Sequence, residues 1–321
     1  MESDAHRLAG GTGGGRPRSA RVGLDITWHE HRTAVIAPGF VDAHVHLTAT
    51  GLAKGGLDLA AARCAADVLR AVADWSRGQS PDTVIFGHGW DDFSWTDMRL
   101  PTAAELSEAA DGRRVYLSRV DVHSALVSSD MLATSEQLDA TGSSVVKKDQ
   151  HGRARQLALA AISARQRTQL QRAALETMAS VGITTVHENA GPVVSSLDDM
   201  RSAMQCGTSA ELPAVLAYWG ALGEARVAKV EGAIGAGGDL FVDGSIGSRT
   251  AHVCKPYDDD PSHGATYVSR QEMATHIREC IIEGVQAGFH VIGDAAMSDI
   301  CLALDDAAGE SPLPANSVRL E

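Results

Sequence analysis

The sequence predicts an α/β protein organised as an incomplete (β/α)8 barrel of the TIM type, and three observations lead there. From about residue 155 onward the chain repeats one unit: a helical stretch, a glycine, a short apolar run and a polar tip. Glycine after a helix takes the left-handed conformation at little steric cost, and strands buried on both faces read as near-continuous apolar runs. The repeat therefore describes parallel strands covered by helices. Second, the tips carry His44, His46, His187, Glu188 and His290, with Asp294 just beyond. The carboxyl ends of the strands are where such a barrel places its chemistry. Third, strands centred near 41, 185, 215, 241, 290 and 319 number six, where closure needs eight.

In chain order, residues 1–21 combine Gly10-Gly11-Thr12-Gly13-Gly14-Gly15 with Arg16, Arg18 and Arg21 and are expected to be disordered. A phosphate-binding loop is the other reading of these glycines, but no strand precedes them and no Gly-Lys-Ser/Thr follows. Pro38-Gly39-Phe40-Val41-Asp42-Ala43-His44-Val45-His46 alternates behind a Pro-Gly turn, which predicts a short strand. His44 and His46 then project from one face, where two neutral imidazoles share a divalent cation about 2.0–2.1 Å from each nitrogen. Taken alone, the pair equally suits two solvent-facing histidines.

Leu57 to Trp75 has apolar residues at helical spacing, closed by Gly78 and Pro81, and predicts a helix. Thr83-Val84-Ile85-Phe86 predicts a strand leading into Gly87-His88-Gly89-Trp90-Asp91. Thr102 with Glu105 forms a capping box, and Arg114 to Arg119 reads as a strand leading to Asp121 and His123. A long helix ends at Gly182 and feeds Ile183-Thr184-Thr185-Val186-His187-Glu188, whose last two residues face opposite sides of their strand. A helix from Ser196 ends near Gly207, before the strand Leu212 to Tyr218. A helix capped by Ser269 and Glu272 is expected to stop at Gly288, before Phe289-His290-Val291-Ile292-Gly293.

The chain has 321 residues, 44% of them hydrophobic, enough for a substantial core. With 41 acidic against 28 basic residues the formal charge is −13, which repels a phosphate backbone and argues against a nucleic-acid partner. Cys64, Cys206, Cys254, Cys280 and Cys301 are odd in number and scattered, a poor match to a disulfide framework or a thiolate zinc site, and suit a reducing cytoplasm. No apolar run approaches the roughly 20 residues that cross a bilayer, so no membrane partner is expected.

The string from Pro38 to His46 resembles the first-strand signature of the metal-dependent amidohydrolase superfamily. Gly87-His88-Gly89-Trp90-Asp91, Val186-His187-Glu188, Phe241-Val242-Asp243-Gly244-Ser245-Ile246-Gly247-Ser248-Arg249-Thr250-Ala251 and His290-Val291-Ile292-Gly293-Asp294 follow in the order of one branch. The chain, from about Val35 to its last residue, is similar to amidohydrolase family 3, the YtcJ-like proteins. That resemblance implies a remnant of a small β-sandwich at 22–37 and a barrel over 38–321. It also implies an insertion at about 52–155 lying over the active site, and truncation at both ends, with a general-base aspartate and a further histidine expected beyond Glu321. It implies one or two divalent ions, zinc above all, on His44, His46 and His290. Many relatives carry a carboxylated lysine where this chain has Asp239, so either Asp239 or Glu188 is a candidate carboxylate ligand. Candidate substrate contacts are Trp90, Asp91, Arg119, His123, Asp243, Arg249 and Asp294, against packed aromatics, surface ion pairs and loop caps as their structural alternatives. The implied activity is hydrolysis of non-peptide C–N bonds in a small-molecule substrate through a metal-activated water. A non-catalytic remnant is the competing reading, and deamination or phosphoester hydrolysis would share the metal.

Overall fold

The computed structural model describes residues 37–95, 99–120, 124–136, 138, 144–192, 194–246, 249–258 and 260–321. The chain divides into Met1–Gly39 and Phe40–Glu321. Of the first unit the described residues, 37–39, are exposed and lie outside regular structure. The expected disordered segment and the sandwich remnant up to residue 36 lie outside the described residues.

In the second unit the elements run β1 (Phe40–Val45), α1 (Leu47–Gly55), β2 (Leu57–Asp58), α2 (Ala65–Ser76), β3 (Ile85–Trp90), α3 (Ala103–Ala109), β4 (Val115–Arg119), β5 (Ser124–Val127), α4 (Ser129–Leu132) and β6 (Val145–Lys147). They continue with α5 (Lys148–Ala160), α6 (Ala164–Ser180), β7 (Ile183–Ala190), α7 (Leu197–Cys206), β8 (Ala214–Trp219), α8 (Ala225–Val230), β9 (Gly235–Ala236), α9 (Arg270–Glu283), β10 (Gln286–Phe289), α10 (Asp294–Ala308) and β11 (Val318–Leu320). Ser163, Ser196 and Ser269 each accept a backbone N–H at the start of α6, α7 and α9, and Thr102 and Ser269 complete the expected capping boxes.

Two sheets result. The larger is a curled, all-parallel sheet in the order β1-β7-β8-β9-β10-β11, part of a barrel wall. Val45 and Val186 pack outward with Leu47, Ala174 and Leu175. Ala217, Trp219, Ala236, Ala287 and Phe289 pack outward with Met273, Ile277, Ile300 and Ala303 of α9 and α10. Alternation turns His44, His46, His187, Asn189, Tyr218, His290, Arg319 and Glu321 to the concave face.

The smaller sheet, β2-β3-β4-β5-β6, lies within the expected insertion; β2 to β4 are parallel, and β5 and β6 antiparallel. The side chain of Gln166 on α6 ties it down, donating to Val84 O (2.8 Å) and accepting from Val84 N (3.0 Å). Leu52 of α1 and Leu170 of α6 join its apolar layer. These ties run to α1 and α6.

Three expected boundaries are corrected. The helix expected from Leu57 starts at Ala65, because Leu57 and Asp58 pair with Gly87 and His88 as an edge strand. The helix before β10 ends at Glu283 with Gly284 left-handed (φ 71°), so Gly288 lies inside the strand rather than before it. In place of a strand at 241, Gly235–Ala236 takes the fourth position, and Phe241 contributes an isolated bridge to His290. Glycine is required at 235, since a Cβ there would lie 2.3 Å from Cε1 of Tyr218. No helix among the described residues is long and apolar enough to cross a membrane.

Candidate metal centre

β1 delivers His44 and His46 side by side, and the turn after β9 brings Asp239 beneath both. His44 Nε2 lies 3.2 Å from Asp239 Oδ1, and His46 Nε2 2.9 Å from Asp239 Oδ2. One donor atom from each of the three lies within 4.8 Å of the others, the one such group among the described residues. Each imidazole is about a third exposed, so the centre opens to solvent, while Asp239 is buried.

The remaining ring nitrogens are backed. His46 Nδ1 donates to the carbonyl of Asn189 (2.9 Å), and His44 Nδ1 meets the carboxylate of Glu321. The backing fixes Nε2 of each ring as the atom that faces Asp239. Hydrogen bonding to Asp239, and then to Glu321, raises His44 to about 9, and Asp239 likewise raises His46. Burial pushes the Asp239 carboxyl up, but its bonds to His44 and His46 outweigh this and hold it well below the usual carboxylate range.

His290 is adjacent but outside the trio. Its ring centroid is 6.5 Å from that of His44 and it packs edge-on against Phe241, with Nδ1 buried and without a hydrogen-bond partner. Glu188 is turned to the opposite face of its strand, as adjacency to His187 requires. Its carboxylate accepts from Leu47 N (2.7 Å), and burial raises its carboxyl to about 7. Of the two candidate carboxylates, the structure brings Asp239 to the histidines and leaves Glu188 apart.

The expected substrate contacts fare differently. Trp90 is 1% exposed and its Nε1 donates to Leu117 O (2.9 Å), so the indole is core, not pocket wall. Arg119 bonds Asp91 (2.5 Å) and Asp92 (3.0 Å), an ion-pair cluster at the tip of the inserted sheet. Asp243 is fully buried and accepts three backbone N–H groups, from His252, Ile292 and Gly293, at 2.8–2.9 Å. Asp294 accepts from Cys254 N (2.8 Å). Both aspartates pin the loop after β9 to the start of α10, which makes them loop anchors. Arg249 sits in that loop with φ 56°, and His123 lies outside the described residues.

Four residues at this face went unread in the sequence: Asn189, Tyr218, Arg319 and Glu321. Arg319 and Glu321, two apart on a strand, carry the same alternation signal as His44 and His46.

A curled parallel sheet gathers two histidines and a carboxylate at its strand tips, the donor atoms of a candidate metal site. The profile of the Amidohydrolase family matches residues 33–320. The chain is 27% identical over 298 residues to the putative amidohydrolase YtcJ of Bacillus subtilis (strain 168), covering 85% of this chain and 56% of that protein. It is 24% identical over 295 residues to LONG AFTER FAR-RED 3 of Arabidopsis thaliana, covering 82% and 50%. Crystal structures of uncharacterized metal-dependent hydrolases from Pyrococcus horikoshii OT3 and Pyrococcus furiosus superpose with TM-scores of 0.65 and 0.69, at 25% and 24% identity. They cover 84% and 85% of this chain and 55% and 59% of theirs. The chain belongs to the amidohydrolase family, in family 3, and spans about half the length of the curated relatives it matches.

Proposed function

We propose that this chain is the metal-bearing part of a hydrolase that acts on non-peptide C–N bonds of small molecules, with one divalent ion, zinc, held by His44, His46 and Asp239. The observation that carries the reading is the convergence of two Nε2 atoms on one buried carboxylate. The donor set fits: two imidazoles, backed on their far nitrogens, and one anionic oxygen form the open three-ligand arrangement of catalytic zinc. The buried, unpartnered Nδ1 of His290 marks a further polar position beside it. Bound there, the ion would supply a water with pKa about 7 and a positive centre for a substrate carbonyl. His44 and His46, each about a third exposed, leave the approach open to a small amide, urea or carbamate.

Among the described residues six strands wall only part of the mouth, so we propose that the 321 residues alone turn over slowly. The test is amine release from simple amides, ureas and carbamates by protein stripped with chelator and reloaded with zinc. Zinc-dependent release, lost in His46→Ala, supports the reading. Release indifferent to chelation overturns it, and a kcat within the enzyme range of about 1–10³ s⁻¹ contradicts the slow turnover.

A further inference from the structure

The two histidines share Asp239 but are held from behind by different kinds of group. His46 Nδ1 rests on a backbone carbonyl, which no side-chain change removes; His44 Nδ1 rests on the side chain of Glu321, from the opposite edge of the sheet. That carboxylate does not stand alone. Arg319 Nε lies 2.8 Å from Glu321 Oε1, and its Nη2 donates to the carbonyl of Ala43, the residue preceding His44. Arg319 Nη1 lies 2.6 Å from His187 Nδ1, and its guanidinium lies over the Tyr218 ring, 4.8 Å from the centroid. Arg319 is thus fixed by contacts to β1, β7 and β8, and it stands beside Glu321 as an ion-pair partner, with no hydrogen bond to Oε1. A planar guanidinium suits such a multiple clamp, where an ammonium would not.

We infer that Glu321, beside Arg319, is a positioning residue for His44: its carboxylate accepts the hydrogen bond of Nδ1–H, sets the ring angle and directs the Nε2 lone pair to the ion. The inference rests on the metal reading above and extends it to residues outside the ligand trio. Such outer partners typically command 10–100-fold in metal affinity.

The test is zinc affinity by competition with a chromophoric chelator, on the 321-residue chain and its Glu321→Gln, Glu321→Asp and Arg319→Lys variants, each with a thermal melt of the metal-free form. Glu321→Gln is expected to bind zinc about 10–100-fold more weakly with an unchanged metal-free melt, Glu321→Asp to recover part of the loss, and Arg319→Lys to fall between wild type and Glu321→Gln. Affinity within twofold of wild type in Glu321→Gln overturns the inference. Should a variant fail to fold, ¹⁵N imidazole spectra of the zinc-loaded wild type decide: a proton on Nδ1 of His44 supports it, and a proton on Nε2 overturns it. A wild-type chain that binds no zinc overturns the metal reading and this inference together, whereas equal affinity in wild type and Glu321→Gln removes the inference alone.

Discussion

The two sheets of this molecule use their polar side chains in opposite ways. In the inserted sheet the site candidates find partners nearby, the Trp90 indole on Leu117 and Arg119 on Asp91 and Asp92, although Trp95 Nε1 and Asp130 Oδ2 beside it are buried without one. In the curled sheet polar groups from distant strands converge, and His290 Nδ1 and both amide atoms of Asn189 stay buried without partners. An unsatisfied buried polar atom costs about 1–3 kcal/mol, so a face that gathers several beside two histidines and a carboxylate is where a ligand would relieve most. A charged or aromatic residue at a strand tip is weak evidence for a site. Convergence with unmet hydrogen-bonding capacity is stronger evidence.

The contrast can be broken by exchanging the expected outcomes. The largest effect belongs to His46→Ala, which removes an ion-facing nitrogen and should lower zinc affinity by more than about 100-fold in a competition assay. Its metal-free stability should stay close to wild type. Trp90→Ala should do the reverse, costing about 3–5 kcal/mol in urea unfolding while leaving zinc affinity of the folded chain unchanged. If Trp90→Ala weakened zinc binding at full stability, the inserted sheet would belong to the site after all.

A smaller effect follows from His276, fully buried on the inner side of α9. Its Nδ1 accepts from Gly223 N (3.2 Å) and its Nε2 lies 3.1 Å from Ala236 O, a pattern only the neutral ring can satisfy. Burial lowers its pKa below 6.5, outweighing the Ala236 bond. The unfolded chain therefore binds this proton more readily. The contribution of His276 is complete above pH 6.5 and is lost as pH falls toward the lower folded value. Glu188 and His44 titrate in the opposite sense, so the comparison is wild type against His276→Gln: the stability gap should narrow between pH 7.5 and 5, at up to about 1.4 kcal/mol per pH unit. A gap that widens contradicts the assignment. Smallest is Arg119→Met, a partly exposed ion pair whose loss should cost about 1 kcal/mol or less in unfolding and leave zinc affinity untouched.

Much of the curled sheet was legible because its signals are local. Helix caps at Ser196 and Ser269, the His44-Val45-His46 alternation and the apolar runs at 186 and 215 each depend on neighbours within one turn or strand. The fourth strand was not, since Gly235 and Ala236 carry no β-branched or aromatic signal and exist to make room for Tyr218. Leu57 and Asp58 read as helix because two residues of edge strand cannot outweigh the helical composition that follows. At the site, spacing identified His44 and His46, but it could not choose between Asp239 and Glu188, which only the strand twist and alternation separate. Trp90 and Asp243 stayed open in the sequence between substrate contact and packed aromatic or loop cap, because burial decides whether such a residue anchors the fold or meets a ligand, and burial is not a local property. Glu321 and Arg319, some 275 residues from His44, share its alternation signal, but their meeting with it becomes visible only once the sheet curls.

Metal analysis of the dialysed wild-type chain, combined with zinc X-ray absorption, tests the central claim most directly. One zinc per chain, bound by two imidazole nitrogens and one carboxylate, is the predicted result. No retained metal, two equivalents per chain, or a coordination shell without two imidazoles would contradict it.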